Sequence, residues 1–388
     1  MATIGGPNTE KDNLVFGYDT GYGVADNNTS TRFYPGEPTT NQADTDAKRN
    51  WGTHNGATSS TTTAPEKGPG WKKLIITNIN GNNYRLAQFP YLAHANGTTR
   101  TYSVEFDVGS LTGYFMFVDG TSGYAQTNVS GKGRYSTTIT ASGGNKSIAI
   151  FLGKSGTHSS INHVIYYKEY QVEEKPHASL FTDSTRSDTA SLIDLKRTTD
   201  IDVSNISFDS TGQPDFDGTD DRIVASPSNI VLGTSLTMEV WIYPTGYNHS
   251  RMYLMDPRGD GNTSGTNAYF LFDYHASPDT VHVVAGNSNI EVQSSNFSMP
   301  LNNWHNIVAT RNGNSWVIYH NGVSVGTGTT NTTSLTLNND FRIGTYASGT
   351  SGQYFFEGLM AVAKFYNTGL SAVEIKQNYN AYKNRFDI

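Results

Sequence analysis

Between Thr101 and Val108 apolar and polar side chains alternate strictly, Tyr102, Val104, Phe106 and Val108 against Ser103, Glu105 and Asp107. A period of two sends the first set to one face of an extended chain and the second to the other, which is the pattern of a half-buried strand. The chain contains no cysteine. Whatever its strands build must therefore be held by burial and strand pairing, without disulfides and without a thiolate as nucleophile or metal ligand. Further strands are expected at Leu74–Ile79, Tyr114–Val118, Tyr135–Thr140, Ile148–Leu152 and Val164–Val172, parted by turns rich in Gly, Ser and Asn. With 39 glycines, 23 tyrosines and only 16% charged residues, the composition agrees with an all-β protein. A length of 388 residues suits two domains of ordinary size.

Two local signals are sharper. Trp304–Arg311, Trp316–His320 and Val323–Gly326 read as a meander whose last turn is Asn321-Gly322, and Asn-Gly suits a type I′ hairpin because both residues must take positive φ. Ser371-Ala372-Val373-Glu374 is a capping box, and Ile375, Tyr379, Tyr382 and Phe386 recur on one helical face, so a short helix closes the chain. Residues 1–12 read as an N-terminal arm, and Thr53 to Gly70, rich in Thr, Ser, Gly and Pro, as loop.

A set of longer segments carries a resemblance. Phe216-Asp217-Gly218-Thr219-Asp220-Asp221-Arg222-Ile223 is followed by Ser235–Pro244, then Asn303–Val308, Tyr319–Gly322, Phe341–Gly344 and Phe356-Glu357-Gly358. Together they resemble the laminin-G-like, or concanavalin A-like lectin/glucanase, domain. That resemblance implies an antiparallel β-sandwich of the jelly-roll kind, which mostly binds rather than catalyses. Such a domain opens with a strand like Asn13–Asp19 and a Tyr-Pro-Gly turn, here Tyr34-Pro35-Gly36, and continues into a strand ending in Asp-Leu. The matching pair, Asp194-Leu195, comes far downstream. The resemblance thus implies a split domain, residues 13–36 plus 187–388, with residues 37–186 inserted as a second sandwich similar to a carbohydrate-binding module. The succession from Val164 to Lys175 and then Phe181 to Ser187 resembles the end of such modules in structural proteins of tailed phages.

For catalysis the residues offer little. Glu105-Phe106-Asp107 begins the alternating carboxylates of a glucanase strand, but Val108-Gly109-Ser110 supplies no second Glu, and Glu239 stands alone. No Gly-x-Ser-x-Gly elbow sits between a strand and a helix in this all-β chain, and no histidine pair has metalloprotease spacing. The loop from Asp256 through Asp260 to Asn262 is rich enough in oxygen to hold Ca2+, as laminin-G-like domains often do, or is an ordinary turn without an ion. Asp217-Gly218-Thr219-Asp220-Asp221 reads as the family's structural turn. Sugar binding would use aromatic platforms with polar neighbours. Candidates are Trp51, Trp71, Tyr84, Tyr91 and Tyr114 in the inserted part and Tyr247, Tyr274, Tyr346 and Tyr354 in the lectin-like part.

A net charge of −7 argues against a nucleic-acid partner. No apolar run is long enough to span a bilayer, and the first residues show no signal peptide. The expectation is a non-enzymatic virion protein made in the host cytoplasm, a capsid decoration or a tail or fibre component. It would be homo-oligomeric, bound to other virion proteins and able to bind cell-surface glycans. A polysaccharide-acting glycoside hydrolase or its binding subunit, and a bacterial surface adhesin, are the alternatives.

Overall fold

The computed structural model describes residues 9–388 except 22–35, 46, 50–51, 54–57, 79–84, 112–113, 120–124, 153–162, 228–229, 248–250, 258–269, 277–278, 286–288, 296, 330–334, 338–339 and 346–353. Among the described residues strands dominate, every pairing is antiparallel, and one short α-helix lies near the end of the chain. The chain divides into two compact units, residues 1–37 with 188–388, and residues 38–187. Tyr34 and Pro35 of the expected turn lie outside the described residues.

In the first unit, one sheet runs Ser207–Phe208, Pro214–Asp217, Glu357–Tyr366, Ser235–Pro244, His305–Asn312, Ser315–His320 and Val323–Thr329. A second sheet runs Thr199–Asn205, Arg222–Pro227, Phe341–Ile343, Arg251–Asp256, Phe270–Ala276, Asp279–Ala285 and Asn289–Gln293. They pack face to face on apolar residues of alternate parity. Phe341 of the second sheet lies edge-on to Phe16 and Phe365 of the first, with ring centroids 4.9 and 5.4 Å away. The Asn321-Gly322 turn takes φ of 50° and 74°, the positive values that a two-residue hairpin requires.

The strand Leu14–Asp19 closes this unit. It pairs with residues 362–366 of Glu357–Tyr366, while Pro214–Asp217 takes the remaining length of the same edge. Asp194 locks it in place. Its buried carboxylate accepts the N–H groups of Gly17 at 3.0 Å, Lys196 at 3.2 Å, Thr198 at 3.0 Å and Thr199 at 3.1 Å. Leu195 adds a backbone bond to the Gly17 carbonyl at 2.7 Å.

The helix Ala372–Tyr382 starts at Ser371 with both halves of the capping box made. It covers the face of the first sheet turned away from the sandwich core, where Trp241 stacks on Phe386 at 4.6 Å and on Tyr379 at 5.9 Å. A buried polar chain runs beneath it. Lys364 Nζ donates to the Tyr382 hydroxyl at 2.8 Å, which donates to Asp19 Oδ2 at 2.7 Å, and Arg385 closes on the other oxygen of Asp19. Residues 9–12 lie against the same region: the Glu10 N–H donates to Asn378 Oδ1 at 2.7 Å, and the Tyr366 hydroxyl to the Glu10 carbonyl.

In the second unit the long strand Leu92–Asp107 pairs with residues 132–146 of Lys132–Leu152, whose last residues pair with Arg85–Gln88 and Tyr114–Asp119 instead. The two long strands are flanked by His163–Glu173, Lys72–Asn78 and Thr58–Thr63 on one side and by Arg85–Gln88 and Tyr114–Asp119 on the other. Two expectations are corrected here. Tyr135–Thr140 and Ile148–Leu152 belong to one strand, which bends between Thr140 and Ser142 and passes through Gly143 and Gly144 at φ of 90° and 86°. The glycines allow the strand to turn a corner without ending, because they accept positive φ that other residues resist. The Thr-rich stretch is not all loop: Thr58–Thr63 pairs with Lys72–Asn78 as an edge strand, where β-branched threonine is at home. Tyr102, Val104, Phe106 and Val108 are all buried, as their alternation requires, with Leu74, Ile76, Ile165 and Val172 in the same core.

Candidate functional site

The second unit carries a cleft of about 370 Å³ lined by Arg49, Pro69, Gly70, Lys72, Lys168, Glu169, Phe181 and Asp183, with Tyr167 and Tyr170 beneath. Its shape originates in an irregularity of the strand His163–Glu173. Ile165 and Tyr167 face the core, and so do Tyr170 and Val172; an odd step of three separates the pairs. One extra residue must therefore be accommodated. The register against Leu92–Asp107 jumps between Lys168 and Gln171, and Glu169 adopts φ 55°. Bulges re-aim side chains, and a left-handed glutamate costs on the order of 1 kcal/mol that the surroundings must cover.

The surroundings hold it by charge. Lys168 Nζ lies 2.8 Å from Glu169 Oε1 and 3.1 Å from Glu105 Oε2. Arg134 donates to the Glu169 carbonyl at 3.2 Å and to Ser103 Oγ at 2.8 Å, and its guanidinium stands 5.9 Å from the Phe181 ring centre. Arg49 approaches the same ring at 5.7 Å and pairs with Asp183 at 2.8 Å, so Phe181 has two guanidinium groups near its ring. Trp71, beside the cleft, has the ammonium groups of Lys168 and Lys132 at 5.4 and 5.5 Å from its ring. Burial acts most strongly on Lys168 and pulls its pKa down, but the hydrogen bonds and charges of Glu169 and Glu105 together outweigh it and leave the pKa raised. The result is a wall of fixed donors and acceptors of both signs around aromatic rings. It suits a polar, uncharged ligand with many hydroxyl groups.

The candidates from the sequence are dispersed. Trp71 is buried beside the cleft and Tyr91 is exposed on the strand Leu92–Asp107's approach. Tyr114 opens the strand Tyr114–Asp119, and Tyr274 lies in Phe270–Ala276. Tyr247 is half-buried, its hydroxyl donating to the Met299 carbonyl. Tyr354, at φ 69°, has its ring 5.7 Å from that of Tyr253. Trp51, Tyr84, Tyr346, Asp260 and Asn262 lie outside the described residues. Asp256 is fully buried in Arg251–Asp256, and the described residues build no calcium cradle around it.

Asp217, Asp220 and Asp221 bring carboxylate oxygens within 4.8 Å of one another. Those oxygens are used by the turn itself: Asp217 Oδ1 accepts the N–H groups of Thr219 at 2.7 Å and Asp220 at 3.2 Å, and Asp221 Oδ2 that of Asp217 at 2.9 Å. Glu239 is sealed under the C-terminal helix, accepting from Trp241 Nε1, Asn306 and Asn378. Sequence reasoning missed Arg49, Lys168, Glu169 and Phe181. The step of three from Tyr167 to Tyr170, a break in an otherwise even alternation, was the available signal.

No curated protein matches this chain. Among solved structures, domain 4 of AbnA, a GH43 extracellular arabinanase from Geobacillus stearothermophilus solved with arabinotriose, is similar at 15% identity and TM-score 0.35, over 45% of this chain and 80% of that one. The binding domain of botulinum neurotoxin serotype D is similar at 13% identity and TM-score 0.40, over 50% of this chain and 49% of that one. The CBM40 of a Ruminococcus gnavus sialidase, bound to α2,3-sialyllactose, is similar at 14% identity and TM-score 0.32, over 37% and 82%. Residues 217–376, all within the first unit, match the family model of the concanavalin A-like lectin/glucanases superfamily, and this stretch is a lectin-like β-sandwich domain.

Proposed function

We propose that this chain is a non-catalytic glycan-binding protein whose second unit takes a neutral oligosaccharide in the cleft around Lys168, Glu169, Arg49 and Phe181. The observation that carries the reading is the bulge at Glu169. A strained residue there is held by Lys168 and Arg134 at the wall of a cavity lined with aromatic rings and fixed polar groups. The resemblance of the inserted part to modules of tailed-phage structural proteins supports placing the protein on a virion, as a capsid decoration or a tail or fibre component. Shallow sites of this kind bind weakly one at a time. An oligomer on a particle would raise apparent affinity by about 10²–10⁴-fold.

The test is a panel of neutral and acidic oligosaccharides applied to the full chain and to Arg49→Ala and Lys168→Met, with reducing-sugar release assayed in parallel. Selective binding by the wild type, weakened at least about tenfold in both variants while circular dichroism is unchanged, is the expected result. Equal binding by wild type and variants would remove the cleft from the reading; sugar release would replace binding with hydrolysis.

A further inference from the structure

The first unit holds a cavity of about 250 Å³ where residues 9–11 lie against the sandwich, lined as well by Leu14, Leu195, Lys196 and Lys364. Its bounding segments are pinned. The Glu10 N–H donates to Asn378 Oδ1 at 2.7 Å, and the Tyr366 hydroxyl donates to the Glu10 carbonyl at 3.1 Å. Asp194 accepts the Lys196 N–H at 3.2 Å, and the Leu195 N–H donates to the Gly17 carbonyl at 2.7 Å. A site bounded by segments held in this way is preformed. Part of its lining is apolar, because Leu14 belongs to the buried cluster around Tyr366 and Leu195 packs against that cluster.

Lys364 is the chemically unusual member. The register of Leu14–Asp19 against Glu357–Tyr366 sets it opposite Gly17. A Cβ on Gly17 would stand 2.9 Å from Lys364 Cγ, so the lysine stem fills the space over the glycine. Lys364 is 1% exposed. Its ammonium donates to the Tyr382 hydroxyl at 2.8 Å; among the described residues it makes no other hydrogen bond, and no carboxylate comes within 4.0 Å of it. An ammonium has three N–H groups, so the protein leaves two of them unused. Burial lowers the pKa of Lys364, while Glu239 and Asp19 act against that through space, balancing the charge without occupying those N–H groups. Lys11 is near enough to add to the lowering. Glu10, the carboxylate in the lining, is already engaged by the N–H groups of Lys11 at 3.0 Å and Asp12 at 2.8 Å.

Buried donors without an acceptor are destabilising, and three lysines beside an apolar floor favour an anion that carries an apolar body. We propose that this cavity binds a small organic carboxylate with a ring-sized apolar body. The carboxylate accepts the two unused N–H groups of Lys364 in the field of Lys11 and Lys196, and the body lies on Leu14 and Leu195. A cavity of about 150 Å³ holds benzene. The larger volume here, about 250 Å³, admits a ring with its carboxylate but not an oligosaccharide. The site belongs to the first unit and does not depend on glycan binding by the second.

Benzoate is the probe, titrated at constant ionic strength into the full chain carrying isotope-labelled leucine methyl groups. The Leu14 and Leu195 methyl resonances should shift saturably. Benzyl alcohol keeps the ring without the charge and acetate keeps the charge without the ring, and each should bind at least about tenfold more weakly than benzoate. Lys364→Met, which keeps the stem and removes the N–H groups, should weaken benzoate at least about tenfold, and Lys196→Met, at an exposed position, about threefold. Should circular dichroism show that Lys364→Met does not fold, Lys196→Met and the two truncated probes decide. No saturable shift at those methyl groups, either truncated probe binding as tightly as benzoate, or benzoate affinity unchanged in the folded lysine variants would overturn the proposal.

Discussion

Asp194→Ala tests how the first unit closes on its own N-terminal strand. The carboxylate is 1% exposed and accepts four backbone N–H groups, and two of those bonds, to Gly17 and Thr199, are themselves buried. Alanine leaves those two donors without a partner and without room for water, at about 1–3 kcal/mol each. The bonds to Lys196 and Thr198 are part-buried and can be replaced in part by solvent. A loss of about 3–4 kcal/mol is expected, which for a unit of this size lowers the midpoint by roughly 6–16 °C. Differential scanning calorimetry is the suitable assay, because two units need not unfold in one transition. Only the transition of the first unit should move, and its tryptophans Trp241, Trp304 and Trp316 report on it by fluorescence. Asp194→Asn, which keeps one acceptor oxygen, should fall between alanine and wild type. A shift of less than 2 °C for Asp194→Ala would refute the role given to this carboxylate in holding Leu14–Asp19 to the rest of the sandwich.

Three other outcomes are expected. Replacing residues 38–187 by a short flexible linker should leave a lectin-like unit with native β circular dichroism and a cooperative transition, and aggregation or a broad, uncooperative melt would count against its independence. Asp221 is raised to about 6, first by burial and then by Asp217, Asp220 and Asp215, so it disfavours the folded state as pH rises from about 4 through 6. Asp221→Asn should therefore stabilise the first unit at pH 7–8 and change nothing below pH 4, as read by calorimetry across that range. His320 is lowered to about 4 by burial and by His305, whose Nδ1 lies 3.0 Å from its Nε2. Its contribution is present above pH 6.5 and is lost as pH falls toward 4. His320→Gln should flatten that acid limb, and a histidine titration by NMR at an ordinary midpoint would contradict the assignment.

Local signals in this chain were legible because they act over a few residues. Alternation placed Tyr102, Val104 and Phe106 in the core, Asn321-Gly322 specified a hairpin through its φ demands, and Ser371 with Glu374 started a helix. Loops were harder. Thr58–Thr63 has threonine's bias toward extended backbone but no apolar face, and what makes it a strand is the neighbouring Lys72–Asn78. The glycine pair at Gly143-Gly144 reads as a turn by composition, yet pairing with residues 92–96 carries the strand through it. Among the candidate aromatics, Trp71 comes to lie beside the cleft, while the groups that line it with charge were invisible as a set.

By itself, then, the amino-acid sequence determined the class of fold and the lectin-like character of residues 217–376, because side-chain period, turn chemistry and capping are properties of neighbours in the chain. Tertiary structure alone decided which charges meet. Arg49 and Asp183 share a wall with the bulge at Glu169, and Asp194 reaches back to Gly17. Each of these depends on strand register, and register is set by long-range pairing whose partners no local pattern names.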